Sequence, residues 1–211
     1  MLINLTISLT LAYFISSSWE SWTHRRILHA NVRARQTWRK YGRIGKLLRL
    51  AYFYHNTIRH RRTYTISFFI QLESTEQKKR LVRLLNKRIC DRLEASHYGL
   101  TISGFWEFFT FAAVPLLVNS TIFLVFSPTW LPLGVLIALL PLTLTRYLHP
   151  LLHADPKQLS TGSFASKVCA TALFQYIQHY HQLHHQAGMV NFNLLLGADW
   201  LFRVHKTVST K

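Results

Sequence analysis

Acidic residues are scarce in this chain. Asp and Glu number 8 among 211 residues, against 25 Lys and Arg, for a formal net charge of +17. A metal site built on several carboxylates is therefore poorly supplied. Cysteine is scarcer still, and the two present, Cys90 and Cys169, show no paired spacing. That argues against a disulfide framework and for a reducing compartment around the parts that carry them. There is no H-E-x-x-H, which argues against a zinc protease. No internal repeat and no low-complexity tract occurs, and no haem, flavin or ferredoxin motif is evident.

What is abundant is apolar and aromatic residues, at 49% and 14%. A soluble domain rarely joins these to so large a positive charge. Either a basic face meets nucleic acid, or a membrane protein keeps basic loops on the cytoplasmic side. The apolar residues come in blocks, which decides for the membrane and against nucleic acid.

Residues Met1–Ser18 are almost uncharged, at the short limit for a span. They lack a basic leader region and a clear cleavage site, so a retained anchor is the better reading than a signal peptide. An interfacial or re-entrant helix is the alternative. Trp19 and Trp22 follow, as in an interfacial aromatic belt. Arg25–Arg92 holds 19 Lys and Arg and three acids. Apolar positions recur at helical spacing in GKLLRLAYFY and in KKRLVRLLNKRI, which predicts amphipathic helices at a membrane surface. Phe105–Phe126 carries one charge, Glu107, and is long enough to cross a bilayer. Ser127-Pro128-Thr129 is a turn. Trp130–Thr145 is a second apolar run, closed by Arg146 and Tyr147, so the two read as a transmembrane hairpin. Phe164–Gln186 predicts one long helix, with Ser163 as cap and Gly188 as stop.

The expected fold is all-α: an integral membrane protein with about three transmembrane helices and a cytoplasmic histidine-rich helical cap. It forms a single domain over 1–211. Within it, 1–18 is an anchor, 19–104 basic cytoplasmic helices, 105–148 a hairpin and 149–211 cytoplasmic metal-binding helices. The positive-inside rule places the basic segment, and with it both ends of the hairpin, in the cytoplasm.

Twelve histidines are present, mostly in clusters. His24 and His29 form H-x4-H, as do His55 and His60. His149 and His153 form H-x3-H. His181, His184 and His185 form H-x2-HH, a spacing that puts three imidazoles on one helix face. The H-x4-H pairs fall about 140° apart on an ideal helix and need a helix end or a distortion. All four clusters lie on the expected cytoplasmic side. Nine imidazoles exceed what one ion binds and suit two. Neutral imidazole suits iron, zinc or copper. His97 and His205 stand alone, and His179 lies near the last cluster.

These motifs resemble the fatty acid hydroxylase/sterol desaturase superfamily of membrane oxygenases. WESWTHRRILH (Trp19–His29) looks like the family's first box and RYLHPLLHA (Arg146–Ala154) is similar to its third. HQLHHQAGMVNFNLLLGADWLF (His181–Phe202) is the closest match, with Asn191-Phe192-Asn193 and Asp199-Trp200 in the places of family elements. The second box departs from the family, because His55 and His60 stand where an H-x2-HH is usual and Arg59 lies between them. His97 or His179 could complete the ligand set. The resemblance implies two irons, O2 as co-substrate, and hydroxylation or desaturation of a fatty acyl chain, sterol or carotenoid. Zinc is an alternative occupant on purification. It also implies Asp199 as a partner fixing the tautomer of a ligand histidine, against the ordinary reading of a surface or helix-terminal acid. An external electron donor is implied, such as a cytochrome b5 or a ferredoxin. The basic surface could dock it, or could instead attract anionic lipid. The implied location is a bacterial inner membrane or the endoplasmic reticulum. The competing function is a non-catalytic metal or haem carrier, with His149 and His181 as axial ligands.

Overall fold

A computed structural model describes residues 2–53, 55–56, 60, 105–155, 159–187 and 191–202. Among the described residues every regular element is helical, the all-α class expected. His97, His205, Arg59, Cys90 and the stretch KKRLVRLLNKRI lie outside the described residues, as does the side chain of Glu107.

The first helix, α1, is Leu2–Thr23, and it runs directly into a π-helical turn, His24–Leu28. It is longer than the Met1–Ser18 anchor predicted. No Pro or Gly interrupts the stretch, and Ser16 and Ser17 bond to other segments instead of capping an end. One edge of α1 is small and polar: Ser8, Ala12, Ser16, Ser17, Glu20, Ser21 and Thr23 are all buried. Trp19 and Trp22 stack on one another, centroids 5.0 Å apart.

A short helix α2, Val32–Trp38, follows, capped by Asn31, whose side chain accepts from Ala34 N–H at 2.9 Å. Helix α3 is Gly42–Tyr52, as GKLLRLAYFY predicts. Gly42 turns the chain between them at φ +50°.

Helix α4, Phe105–Phe126, and helix α5, Leu131–Tyr147, are joined by a 3-10 turn at Pro128–Trp130. This is a helical hairpin at the place where one was predicted. Helices α1, α4 and α5 pack against one another. Asn119 of α4 donates to Ala12 O at 3.3 Å and to Ser16 Oγ at 3.0 Å. Gly134 lets α5 close on α4, since a Cβ there would lie 2.5 Å from the Phe123 ring. Small residues and cross-helix hydrogen bonds hold helices together where the surroundings are apolar. Thr6, Thr10, Thr121, Thr143 and Thr145 each donate to the carbonyl four residues back, which hides the hydroxyl within its own helix.

The outer faces of these helices are apolar: Leu2, Ile3, Ile7, Leu117, Leu124, Val125 and Leu136 are exposed. Soluble monomers rarely show so continuous a patch. Two helical stretches, Leu2–Leu28 and Pro128–Leu152, are long and apolar enough to cross a membrane. The part of α4 whose side chains are described, Ala112–Phe126, is a shorter apolar helix.

Beyond α5 the chain continues into α6, His149–Leu152. The predicted single helix over Phe164–Gln186 is two helices: α7, Phe164–Cys169, and α8, Ala172–Ala187. Ser163 caps α7 as expected, accepting from Ser166 N–H at 3.1 Å. Thr171 starts α8, its hydroxyl accepting from Phe174 N–H at 3.3 Å. That second cap divides the helix. A four-residue helix α9, Ala198–Leu201, ends the described chain. Leu152, Cys169, Phe174, Ile177, Tyr180, Phe192 and Leu194 form the apolar core beneath α8.

Gly134→Val tests the three-helix packing. The Phe123 ring has to shift, at about 1–3 kcal/mol for overpacking, and thermal unfolding in detergent should show a lower midpoint.

Candidate metal centre

Nine histidines predicted as ligands meet in two adjoining groups. His24, His29, His55 and His184 form one, His149, His153 and His181 the other. Within each, the candidate ligand nitrogens lie within 4.8 Å of one another. His60 joins the first group through His55, and His185 the second through His181.

The distances decide the chemistry. His55 Nε2 lies 3.0 Å from His24 Nε2, 3.1 Å from His29 Nε2 and 3.1 Å from His60 Nε2. His181 Nε2 lies 3.0 Å from His149 Nε2, 2.9 Å from His153 Nε2 and 3.2 Å from His185 Nε2. A neutral imidazole nitrogen offers one hydrogen or one lone pair. It cannot hydrogen-bond to three neighbours at once. A cation between them satisfies all: metal–nitrogen bonds of about 2.0–2.1 Å, at tetrahedral to right angles, separate the nitrogens by about 2.8–3.4 Å. The donor set fits two borderline divalent ions.

Protonation agrees. Burial, then the neighbouring His184, pushes His29 from an ordinary 6.5 down to about 3. Burial, then His149, His153 and His185, holds His181 well below its usual range. Burial, then His153 and His184, does the same for His185. Neutral imidazole is the ligand form.

Local backbone explains how each pair reaches the site. In the first H-x4-H pair the π-helical turn His24–Leu28 brings His29 N–H onto His24 O at 3.0 Å. Residues i and i+5 are then bonded neighbours, which an α-helix does not allow. Around the second pair, the described residues Phe53, His55, Asn56 and His60 are also π-helical. This is the distortion that the spacing required. His149 and His153 lie at either end of α6.

Helix α8 behaves differently from expectation. Its three imidazoles do not serve one site. His181 and His185, four residues apart, join the second group, and His184 joins the first. His184 and His185 diverge by about 100° on the helix, so α8 runs between the two ion positions. His60 stacks on His185 at 4.1 Å and ties the groups together. His179, the extra ligand considered, is exposed on α8 and belongs to neither group. His97, the other, lies outside the described residues.

Several residues at the site were not foreseen. Phe192 packs against His181, centroids 4.2 Å apart. Glu20 is buried on α1, its oxygens accepting Leu194 N–H at 2.8 Å and Leu195 N–H at 3.0 Å. Ser17 donates to Leu195 O at 2.8 Å and accepts from Ala198 N–H at 3.2 Å. Asp199, expected beside a ligand histidine, is buried and accepts from Ser21 Oγ at 2.9 Å and from Asn191 Nδ2. A polar seam thus sews α1 to residues 191–199. Its only sequence signal is the run Ser16-Ser17-Ser18, Glu20-Ser21 inside an otherwise apolar stretch.

Metal analysis of the purified chain should find two ions; His55→Ala and His181→Ala should each lose one ion and keep the other. In metal-free protein, the unfolded state takes up protons that the folded histidines refuse, so stability should fall as pH drops below 6.5. Thermal melts across that range check the sign.

No known family model, no curated protein and no solved structure matches this chain, so the geometry of the two histidine groups carries the functional argument.

Proposed function

We propose that this protein is an integral membrane oxidoreductase, in which two histidine-held iron ions and O2 hydroxylate or desaturate a membrane lipid. The carrying observation is the pair of nitrogens, His55 Nε2 and His181 Nε2, each with three imidazole nitrogens about 3 Å away. The histidine boxes that resemble those of membrane hydroxylases and desaturases supply the reaction class. Two redox-active ions supply O2 activation and the oxidation of an unactivated C–H bond.

The chain's own residues do the rest. His24, His29, His55, His60 and His184 would hold one ion, and His149, His153, His181 and His185 the other. His24 and His149 stand at the ends of the two long apolar stretches. A lipid chain lying along those helices would reach the metal end-on, without leaving the apolar phase. Phe192 and Leu152, buried at the centre's edge, keep water from it. In this reading α4 is a third crossing, and the basic segment after α1 sets the metal-binding side in the cytoplasm. Electrons come from an external donor such as a cytochrome b5 or a ferredoxin, steered by the positive surface.

The haem-carrier reading fits less well. Two axial nitrogens on one iron face each other about 4 Å apart, at about 2.0 Å each. His149 and His181 Nε2 are 3.0 Å apart.

Lipid mass spectrometry of a host expressing the chain should show species gaining one oxygen or losing two hydrogens. His184→Ala should insert in the membrane and abolish them. Oxidised lipid persisting in that variant, at the level of the unchanged protein, overturns the proposal.

A further inference from the structure

The bonds made by residues 191–202 trace a path along α1. Asn191 Nδ2 donates to Ser21 Oγ at 3.1 Å. Glu20, one residue earlier on α1, accepts from Leu194 and Leu195 N–H. Ser17 donates to Leu195 O, and Tyr13 donates to Leu196 O at 2.9 Å. From there the order reverses. Ala198 N–H donates to Ser17, Asp199 accepts from Ser21, and the Arg25 guanidinium lies 5.5 Å from the centre of the Phe202 ring. The chain thus descends α1 from Ser21 towards Tyr13, a drop of about 12 Å at about 1.5 Å per residue. It turns at Gly197, whose φ of +120° suits glycine, and climbs back.

That descent enters an apolar stretch. Tyr13 and Ser17 lie within Leu2–Leu28, long and apolar enough to cross a membrane. Both are deeper in it than the stacked Trp19 and Trp22, a pair suited to the membrane boundary. Residues 191–197 are not helical. Irregular backbone at membrane depth needs its N–H and C=O groups satisfied by protein. The Tyr13 and Ser17 hydroxyls and the Glu20 carboxylate do this for Leu194 N–H, Leu195 N–H and O, Leu196 O and Ala198 N–H. This gives the polar residues of an apolar helix a purpose.

Composition agrees. The stretch AGMVNFNLLLGADWLF, from Ala187 to Phe202, carries one charge, Asp199, and that side chain is buried. Trp200, Leu201 and Phe202 are 50%, 58% and 43% exposed, and α9 packs on α1, whose own outer face is apolar. Facing water, three such residues in a row would be an aggregation liability. We propose that residues 194–199 are a re-entrant loop that enters the bilayer beside α1, with Trp200, Leu201 and Phe202 set among lipid at the boundary. The histidine-bearing end of the fold is then anchored in the membrane here, where the sequence predicts a wholly cytoplasmic segment over 149–211. The descending arm carries Phe192, so the loop also places the ring that packs on His181. This rests on the reading of α1 as a membrane span, and on neither metal binding nor oxidation chemistry.

Spin-label accessibility measures depth directly. In the full chain carrying Cys90→Ser and Cys169→Ala, single labels are placed through Leu196→Cys, Leu201→Cys, Ile7→Cys on the outer face of α1 and Gln36→Cys on exposed α2. The proteins are reconstituted in phosphatidylcholine vesicles, and relaxation by O2 is compared with relaxation by a neutral nickel chelate. The Leu196 label, like the Ile7 label, should respond more to O2 than to the chelate, the Gln36 label should do the reverse, and the Leu201 label should fall between. A label at Leu196 or at Leu201 as open to the chelate as that at Gln36, while Ile7 is shielded, overturns the loop and leaves α1 in the membrane. An Ile7 label open to the chelate removes the membrane reading and this one together. Leu201 is exposed and carries a label without repacking, so it decides the matter if a label at Leu196 prevents folding.

Discussion

Imidazole nitrogens crowded to about 3 Å in a largely buried cluster cannot all hydrogen-bond to one another, and most of the structure exists to hold them in that state. Burial keeps them neutral, as His29 and His181 show. Neutrality leaves lone pairs converging on two points. At those two points a cation would meet several donors at once, and the fold that gathers them would be stabilised by it.

The apolar helices meet this demand by being rigid where the site must be placed. Asn119 fastens α4 to two partners on α1, and Gly134 lets α5 close on Phe123. The ends of α1 and α5 become fixed points from which His24 and His149 project. The π-helical turn at His24–Leu28 then supplies what an α-helix cannot: residues five apart, His24 and His29, brought side by side. The backbone distortion lies at the metal end, next to the ligands.

All nine clustered histidines were legible in the sequence, because their spacing is read directly and few roles other than metal binding call for so many imidazoles together. So was the need for distortion, because 140° is incompatible with a shared face. The allocation of α8 was not legible. H-x2-HH states that three imidazoles are near each other, and only the tertiary placement of α8 between the two histidine groups sends His184 one way and His185 the other. The seam was equally hidden. Ser17, Glu20 and Ser21 lie about 175 residues from their partners, and no local rule links an apolar anchor to a distant loop. The break at Thr171 is a smaller case, a single hydroxyl cap outweighing a helical period.

The ligand set also divides by distance along the chain. His24, His29, His55 and His60 come from one stretch of 37 residues, and His149, His153, His181 and His185 from another of equal length. Each set closes over a loop of similar size: His24 and His55 are 31 apart, His149 and His181 are 32 apart. Neither set needs the other to offset its closure entropy. His184 is the one histidine that crosses, carried by the second set's helix into the first group, with the His60–His185 stack beside it. The centre is thus two half-sites docked through α8, and the polar seam on α1 holds the docked position. That arrangement gives the buried serines and carboxylate of an apolar helix their role: they hold residues 191–199 against α1, beside the two histidine groups.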